Sequence, residues 1–158
     1  MAPKIKLLAN ADKTGNPKGP TNRRFPTRIF TLSHTIKIGV IDDDDLVRGA
    51  IDSLIQSLGY EVDTFTSAAD YLSSNRLHDH SCISADLQMT GITGTDFQKQ
   101  LMSKGFSTPI IFIGAYCTQA LVRRVTEAGA IGFLLKPFKV EPLLEYLAKA
   151  LKTESAGG

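Results

Sequence analysis

IKIGVIDDDDLVR, residues 36–48, joins a short apolar run directly to four consecutive aspartates. The run over residues 36–41 is typical of a strand buried in a sheet. After the aspartates, apolar residues recur at helical spacing up to Gly59, a residue type common just beyond a helix end. A buried strand, an acidic loop and an amphipathic helix therefore open the folded part of the chain.

The same alternation continues to the end of the chain. Strand patterns cover residues 61–65, 81–85, 109–113 and 131–135, and helical patterns cover 67–77, 95–104, 118–128 and 140–151. The order βαβαβαβαβα predicts an α/β fold, a five-stranded parallel sheet with helices on both faces. Ligands of such sheets bind outside the carboxyl ends of the strands.

Chemically active side chains stand at those ends. The first strand is followed by Asp42 and Asp43, the third by Asp86 and the fifth by Lys136. If the strands are neighbours, these groups share one pocket. Clustered carboxylates repel one another, which either raises the pKa of one of them or recruits a cation. A hard divalent ion, Mg2+ above all, resolves the repulsion. A carboxylate between that metal and a lysine can be the nucleophile of phosphoryl transfer.

Each of these residues also has an ordinary explanation. An acidic run often only starts a helix, because aspartate caps the first turn and complements its dipole, and we expect Asp44 and Asp45 to do so. A lone Asp86 often begins a turn, and a lysine before proline is usually exposed. The functional interpretation depends on the combination of these residues at different strand ends.

Length and charge set the domain organisation. The chain has 158 residues, 42% of them hydrophobic, which suffices for one domain with a substantial core. Seven basic residues and one acidic residue lie in residues 1–35, against 11 and 15 in the remainder. We predict a basic, flexible extension over residues 1–34, a folded domain over 35–153 and a tail over 154–158.

Composition also bears on location. No apolar run approaches the roughly 18 residues that span a bilayer, which excludes a membrane protein. The amino terminus has no long apolar core and no small-residue cleavage site, so no secretory signal is expected. Cys82 and Cys117 fit neither a disulfide framework nor a zinc site, which favours a cytoplasmic protein with reduced thiols.

Four motifs then point to a family. IDDDDLVR (41–48), ADLQMTGITG (85–94), PIIFIGA (109–115) and AGAIGFLLKPF (128–138) resemble the receiver domain of bacterial two-component response regulators, as in chemotaxis regulators. The resemblance covers about residues 36–152, so that the predicted 35–153 domain would be a receiver domain. It implies a flavodoxin-like sheet of strand order 2-1-3-4-5.

The resemblance also implies a role for each site residue. Asp86 would accept a phosphoryl group from a histidine kinase or a histidine phosphotransfer protein. Asp43, Asp86 and the backbone carbonyl of Gln88 would bind Mg2+, with Asp42 acting through water. Lys136 would pair with the phosphoryl group, before a cis bond to Pro137. Phe133 occupies the position of the family's switch aromatic. The domain would be no enzyme in the usual sense, although it would catalyse its own phosphotransfer and dephosphorylation.

Two positions depart from the family pattern. Gly114 stands where threonine or serine usually contributes a hydroxyl that hydrogen-bonds the phosphoryl group, and Thr90 stands where proline is usual. Glycine supplies no side-chain donor and makes its loop more flexible. The leading hypothesis is a phosphorylated receiver domain with a weakened or rewired response. The alternative is a pseudo-receiver, a binding module that works without phosphorylation.

Two other function classes fit less well. Asp43 and Asp45 formally resemble the acid pair of haloacid-dehalogenase phosphatases, but the chain has no room for a substrate-selecting cap, and Asp86 would have no role. A flavin carrier could share the fold, yet its phosphate loops need hydroxyls or glycines rather than four carboxylates.

Partners are implied by the resemblance as well. Besides the phosphoryl donor, we expect a downstream protein at the face formed by helix 4, strand 5 and helix 5, which includes Arg123, Arg124 and Glu145. A homodimer is a further possibility. No membrane partner is expected, and no DNA-binding domain is recognised after residue 151. The chain would then act either as a stand-alone receiver through protein contacts or as part of a longer regulator.

Overall fold

The computed structural model describes residues 35–157, and the predicted extension over residues 1–34 lies outside them. Five parallel strands form one sheet in the order β2-β1-β3-β4-β5, which confirms the predicted flavodoxin-like fold. The strands are β1 (Lys37–Ile41), β2 (Glu61–Phe65), β3 (Cys82–Asp86), β4 (Ile110–Gly114) and β5 (Gly132–Leu135). The helices are α1 (Asp45–Ser57), α2 (Ala68–Leu72), α3 (Gly94–Ser103), α4 (Gln119–Glu127) and α5 (Val140–Gly157).

The sheet separates two apolar layers. On one face, Tyr71 of α2, Phe97 of α3 and Val125 of α4 pack against Phe112 and its neighbours. On the other face, α1 and α5 pack against β1 and β4, burying the side chains of Ile51, Ile55, Leu143 and Leu147. All five residues of β3 and of β4 are buried, as expected of central strands covered on both faces.

Short polar side chains begin the helices. The Asp44 carboxylate accepts hydrogen bonds from the N–H groups of Leu46 and Val47 and caps α1, which confirms its helix-start role. Asp45 is the first residue of that helix, where its charge complements the helix dipole. The hydroxyls of Ser67, Thr93 and Thr118 cap α2, α3 and α4 in the same way.

Two helices differ in length from their sequence patterns. The pattern over residues 67–77 predicts one long helix, but α2 ends at Leu72. The hydroxyls of Ser73 and Ser74 donate to the carbonyls of Asp70 and Tyr71, and such local bonds compete with helix propagation. By contrast, α5 continues to Gly157, beyond the predicted residue 151. The division at residue 153 stays a prediction.

Strand register brings the loops of the predicted site to one edge. Ile41 of β1 lies beside Ala85 of β3, Asp86 beside Ile113 of β4, and Gly114 beside Leu135 of β5. The residues that follow β1, β3, β4 and β5 therefore meet at the carboxyl edge of the sheet. Among residues 35–157, no helix has the length and apolar character needed to cross a bilayer.

Gly94 limits how closely α3 can approach β3 and β4. A Cβ at this position would lie 2.5 Å from Leu87 Cδ1 and 3.0 Å from Phe112 Cε1. We expect Gly94→Ala to lower the free energy of unfolding by about 2 kcal/mol, the usual penalty of overpacking a core. Gly49→Ala is the matched control, because a Cβ there meets nothing within 4 Å inside a helix, and it should stabilise the protein slightly. Urea unfolding measures both, and equal effects would contradict a packing role for Gly94.

Candidate functional site

Three carboxylates converge at the carboxyl edge of the sheet. Asp42 and Asp43 follow β1, Asp86 ends β3, and each offers an oxygen within 4.8 Å of the other two. Asp42 is 1% exposed and Asp86 8%, whereas Asp43 is exposed. The cluster is therefore buried at its base and open to solvent at Asp43.

Lys136 completes the cluster from β5. Its Nζ lies 3.2 Å from Asp42 Oδ2 and 3.5 Å from Asp86 Oδ2, so that one ammonium group contacts both buried carboxylates. The N–H of Lys136 donates to the carbonyl of Gly114 at 2.7 Å, which ties the end of β5 to β4. The Lys136–Pro137 peptide bond is cis. The structure thus brings together the residues that the sequence placed at separate strand ends.

Main-chain groups fix the orientation of the two buried carboxylates. The N–H of Asp44 donates to Asp42 Oδ1 at 2.9 Å, and the N–H of Gln88 donates to Asp86 Oδ1 at 2.9 Å. In both cases the donor lies two residues after the acceptor, the pattern of an Asx turn. Each carboxylate therefore uses Oδ1 for its own loop and Oδ2 for Lys136.

Asp86 is held in a balance of opposing electrostatic effects. Burial raises its pKa above the usual value, and the charge of Asp42 raises it further. The Gln88 N–H and the Lys136 ammonium act in the opposite direction but offset only part of this effect. The negative charge of an ionised Asp86 is therefore desolvated and only partly compensated by its neighbours. An additional positive charge nearby would stabilise it.

The donor set fits Mg2+. Among residues 35–152, Lys136 is the one cation that forms an ion pair with any of these three carboxylates, and the side-chain ligand atoms that they offer are oxygens. Hard divalent cations prefer such ligands, and Mg2+ keeps water positions open for phosphate oxygens. The cluster therefore offers the oxygen ligands and the excess negative charge that suit Mg2+.

The two departures from the family pattern have structural consequences. The Thr90 hydroxyl donates to Asp43 Oδ2 at 3.0 Å, which links the β3–α3 loop to the β1–α1 loop. At Gly114, a Cβ would lie 3.3 Å from both Gln88 Oε1 and Phe133 Cε1. Gly114 and Phe133 are therefore neighbours at the carboxyl edge of the sheet.

Sequence reasoning missed the side chain of Gln88. Its Nε2 donates to the carbonyl of Tyr116, 28 positions further along the chain. Only the backbone of Gln88 was predicted to matter. The sequence offered one signal for this contact: Gln88 is polar and follows Asp86 by two positions, and β4 ends in a glycine. The contact itself depends on the register of β3 and β4, which the sequence pattern does not specify.

Comparisons with known proteins agree with this geometry. The family model "Response regulator receiver domain" matches residues 38–148. The response regulator protein TodT of Pseudomonas putida is 36% identical over 73% of this chain and 51% of its own length. The transcriptional regulatory protein TdiR of Thauera aromatica is 35% identical over 71% of this chain and 49% of its length. The solved structure of the response regulator StyR has a TM-score of 0.71 at 35% identity and covers 77% of this chain and 62% of its own.

These relatives correct the prediction about partners. The sequence pattern showed no DNA-binding domain, and a downstream protein was the expected output partner. The expectation of no DNA-binding domain is contradicted, because the matched relatives include a transcriptional regulatory protein of which this chain covers only the receiver part. The physical reason for the error is that a receiver domain has its own closed core, so that its residues carry no trace of the domain they regulate.

The match covers the domain rather than the whole of its relatives. The chain spans about half the length of the curated relatives TdiR and TodT. The family model, however, covers nearly all of the described domain, and the strand order is that of the predicted receiver fold. The resemblance drawn from the sequence is confirmed: the chain belongs to the response regulator receiver domain family.

Proposed function

We propose that this domain is the phosphoacceptor of a two-component system and that Asp86 takes the phosphoryl group from a histidine kinase or a histidine phosphotransfer protein. The observation that carries the proposal is the position of Asp86. Its carboxylate lies at the carboxyl end of β3, beside Asp42 and Asp43 and 3.5 Å from the Lys136 ammonium group. Among residues 35–152, only Asp42 and Asp86 pair with Lys136, and Asp86 is the more exposed of the two.

The chemistry is a transfer between two nucleophiles. An oxygen of Asp86 forms a bond to phosphorus while the N–P bond of the donor's phosphohistidine breaks, and the imidazole leaves with the bonding electron pair. Lys136 Nζ, already in contact with Asp86 Oδ2, would neutralise charge that develops on the phosphoryl oxygens. The Gln88 N–H holds the carboxylate in place throughout.

Mg2+ belongs to the proposal as the resident metal. Asp43, Asp86 and the carbonyl of Gln88 would hold it, with Asp42 acting through a water molecule, and it would supply positive charge to the phosphoryl oxygens. Thr90 bears on this arrangement, because its hydroxyl already donates to Asp43 Oδ2 and so restrains the exposed ligand. The domain would catalyse its own phosphotransfer and dephosphorylation rather than turn over a separate substrate.

The response to phosphorylation would differ from the family pattern at Gly114. A side-chain hydroxyl there would donate to the phosphoryl group, and losing one such charge-assisted hydrogen bond weakens the active state by about 1.5–3 kcal/mol. Phe133, next to Gly114, is the proposed switch aromatic. The name of TdiR, a transcriptional regulatory protein, further supports a phosphorylated state that controls transcription. We place this function in the cytoplasm.

Modification by acetyl phosphate tests the proposal. With Mg2+ present, the chain should gain the mass of one phosphoryl group, and removal of the metal by EDTA should prevent this. Asp86→Asn should abolish the modification completely, whereas Asp52→Asn on α1 should leave it unchanged. Modification that survives in Asp86→Asn would place the acceptor elsewhere. If the unaltered chain is never modified, the alternative of a phosphorylation-independent pseudo-receiver is the better explanation.

A further inference from the structure

The side chain of Gln88 bridges two loops of the site. The backbone N–H of Gln88 donates to Asp86 Oδ1 at 2.9 Å, and its side-chain Nε2 donates to the carbonyl of Tyr116. Gln88 belongs to the loop after β3, and Tyr116 belongs to the loop between β4 and α4. One residue therefore contacts the acceptor carboxylate through its main chain and the β4–α4 loop through its side chain.

Gly114 provides the space that this bridge uses. A Cβ at position 114 would lie 3.3 Å from Gln88 Oε1, closer than nearly all Cβ contacts, and 3.3 Å from Phe133 Cε1. The backbone of Gly114 does not adopt the left-handed conformation that would by itself require glycine. A side chain at position 114 would therefore make the Gln88 carboxamide and the Phe133 ring shift by a few tenths of an ångström, and in this sense Gly114 and Gln88 form a matched pair.

The position of Tyr116 gives the bridge a mechanical consequence. Tyr116 precedes the α4 cap Thr118 by two residues, and the Thr118 hydroxyl accepts from the N–H of Leu121. A displacement of the Tyr116 carbonyl therefore acts on the start of α4. Since the Gln88 N–H donates to one oxygen of Asp86, a change at that carboxylate can reach α4 through a single residue.

We propose that Gln88 is the positioning residue that couples Asp86 to the β4–α4 loop in this chain, with Gly114 as the glycine that admits its carboxamide. The inference rests on the proposed function, because it assigns a route for the response to phosphorylation at Asp86. It also explains how a receiver domain without a hydroxyl at position 114 keeps a side-chain link between the two loops.

The first test needs no phosphorylation. Gly114→Ser in the otherwise unaltered chain should lower the urea midpoint of unfolding, because the added atoms displace the Gln88 carboxamide. In the Gln88→Ala background the same substitution should lower it much less, since Oε1 is gone, although Phe133 remains a neighbour. A double-mutant cycle measures this coupling. Additive effects of the two substitutions would overturn the matched pair.

The second test measures the response itself. Beryllofluoride with Mg2+ mimics the phosphoryl group, and amide NMR should show shifts at Gln88 and, through the bridge, at Tyr116 and Cys117. In Gln88→Glu, which keeps the shape but loses the Nε2 donor, the shift at position 88 should persist. The population of the shifted loop should fall roughly five-fold, as expected for one lost hydrogen bond. Gly114→Ser in the Gln88→Ala background should restore part of the loop response through its hydroxyl.

The two proposals fail in different ways. If beryllofluoride and Mg2+ cause no shift anywhere in the unaltered chain, the proposed phosphoacceptor function is wrong. The double-mutant cycle would still test the pairing of Gln88 with Gly114, because it needs no phosphorylation. If the unaltered chain responds and Gln88→Glu retains the full shifts at Tyr116 and Cys117, the coupling role of Gln88 is wrong while the proposed function stands.

Discussion

Lys136→Met should lower the free energy of unfolding by about 3 kcal/mol at neutral pH without Mg2+, because it removes the charge that compensates two buried carboxylates. Nζ lies 3.2 Å from Asp42 and 3.5 Å from Asp86, and the two aspartates are 1% and 8% exposed. Methionine fills a similar volume, so the loss reports mainly the missing charge. Phosphorylation by acetyl phosphate should be strongly slowed in the same variant.

The pH dependence of this effect has a definite sign. The pKa of Asp86 is already raised by burial, and Lys136 is one of the groups that lower it, so removing Lys136 raises it further. A carboxyl group whose pKa is higher in the folded than in the unfolded state binds protons more tightly when folded, and stability then falls as pH rises through the folded pKa. Relative to the unaltered chain, Lys136→Met should therefore regain stability as the pH is lowered from 7 towards the ordinary aspartate range.

Divalent metal gives this prediction an independent check. Mg2+ bound among the carboxylates would replace part of the lost charge, so it should stabilise Lys136→Met more than the unaltered chain. Lys139→Met is the matched control, because Lys139 is exposed and has no ion pair among those of residues 35–152. Urea unfolding with and without Mg2+ measures the difference. Equal stabilisation of both lysine variants would contradict the assigned metal cluster.

The main parts of this site were predictable from the sequence, because parallel strands place their carboxyl ends at one edge. Once the alternation of strands and helices is recognised, Asp42, Asp86 and Lys136 must meet there, and the structure brings both carboxylates within 3.5 Å of a common ammonium group. The local capping role of Asp44 was predictable for the same kind of reason, since it depends only on residues two and three positions away.

Contacts that depend on exact register were not predictable. The Gln88–Tyr116 bridge joins residues 28 positions apart, and nothing in a periodicity pattern specifies it. The short α2 was missed because the serine hydroxyls at its end compete with helical hydrogen bonds, while the apolar spacing continues past them. Tertiary contacts and side-chain competition, rather than propensity, determine these features.

A buried polar network behind the α2 side of the sheet was missed for the same reason. The fully buried His80 ring lies with Nε2 2.9 Å from Asp63 Oδ2, and its Nδ1 lies 3.3 Å from the Tyr71 hydroxyl. Arg76 Nη1 contacts Asp63 Oδ1 at 2.8 Å, and Lys37 Nζ lies 3.6 Å from Oδ2. The partly buried carboxylate of Asp63 therefore contacts three nitrogen groups from separate parts of the chain. His80 is not part of any of the four sequence motifs, and it contacts Asp63 of β2 only because of the fold.

Asp63→Asn should lower the free energy of unfolding by about 1.5–3 kcal/mol at neutral pH, because it removes the charge from a partly buried, hydrogen-bonded network. Asparagine can still accept from His80, but its amide N–H groups would face the donors of Arg76 or Lys37. Asp79→Asn is the matched control, since that aspartate is exposed and lies one residue from His80. Urea unfolding at several pH values compares the two variants.

The sign of the pH dependence is opposite to that at Asp86. Burial alone would raise the pKa of Asp63, but the His80 hydrogen bond and the charges of Arg76 and Lys37 outweigh it and hold this pKa below its ordinary value of 3.8. The stabilisation is therefore complete above the unfolded pKa near 3.8 and is lost as the pH falls through the lower folded pKa. The stability gap between the unaltered chain and Asp63→Asn should accordingly narrow as the pH falls from 3.8 through the lower folded pKa of Asp63. A gap that stays open in acid would show that Asp63 stabilises the fold by shape and hydrogen bonding rather than by its charge.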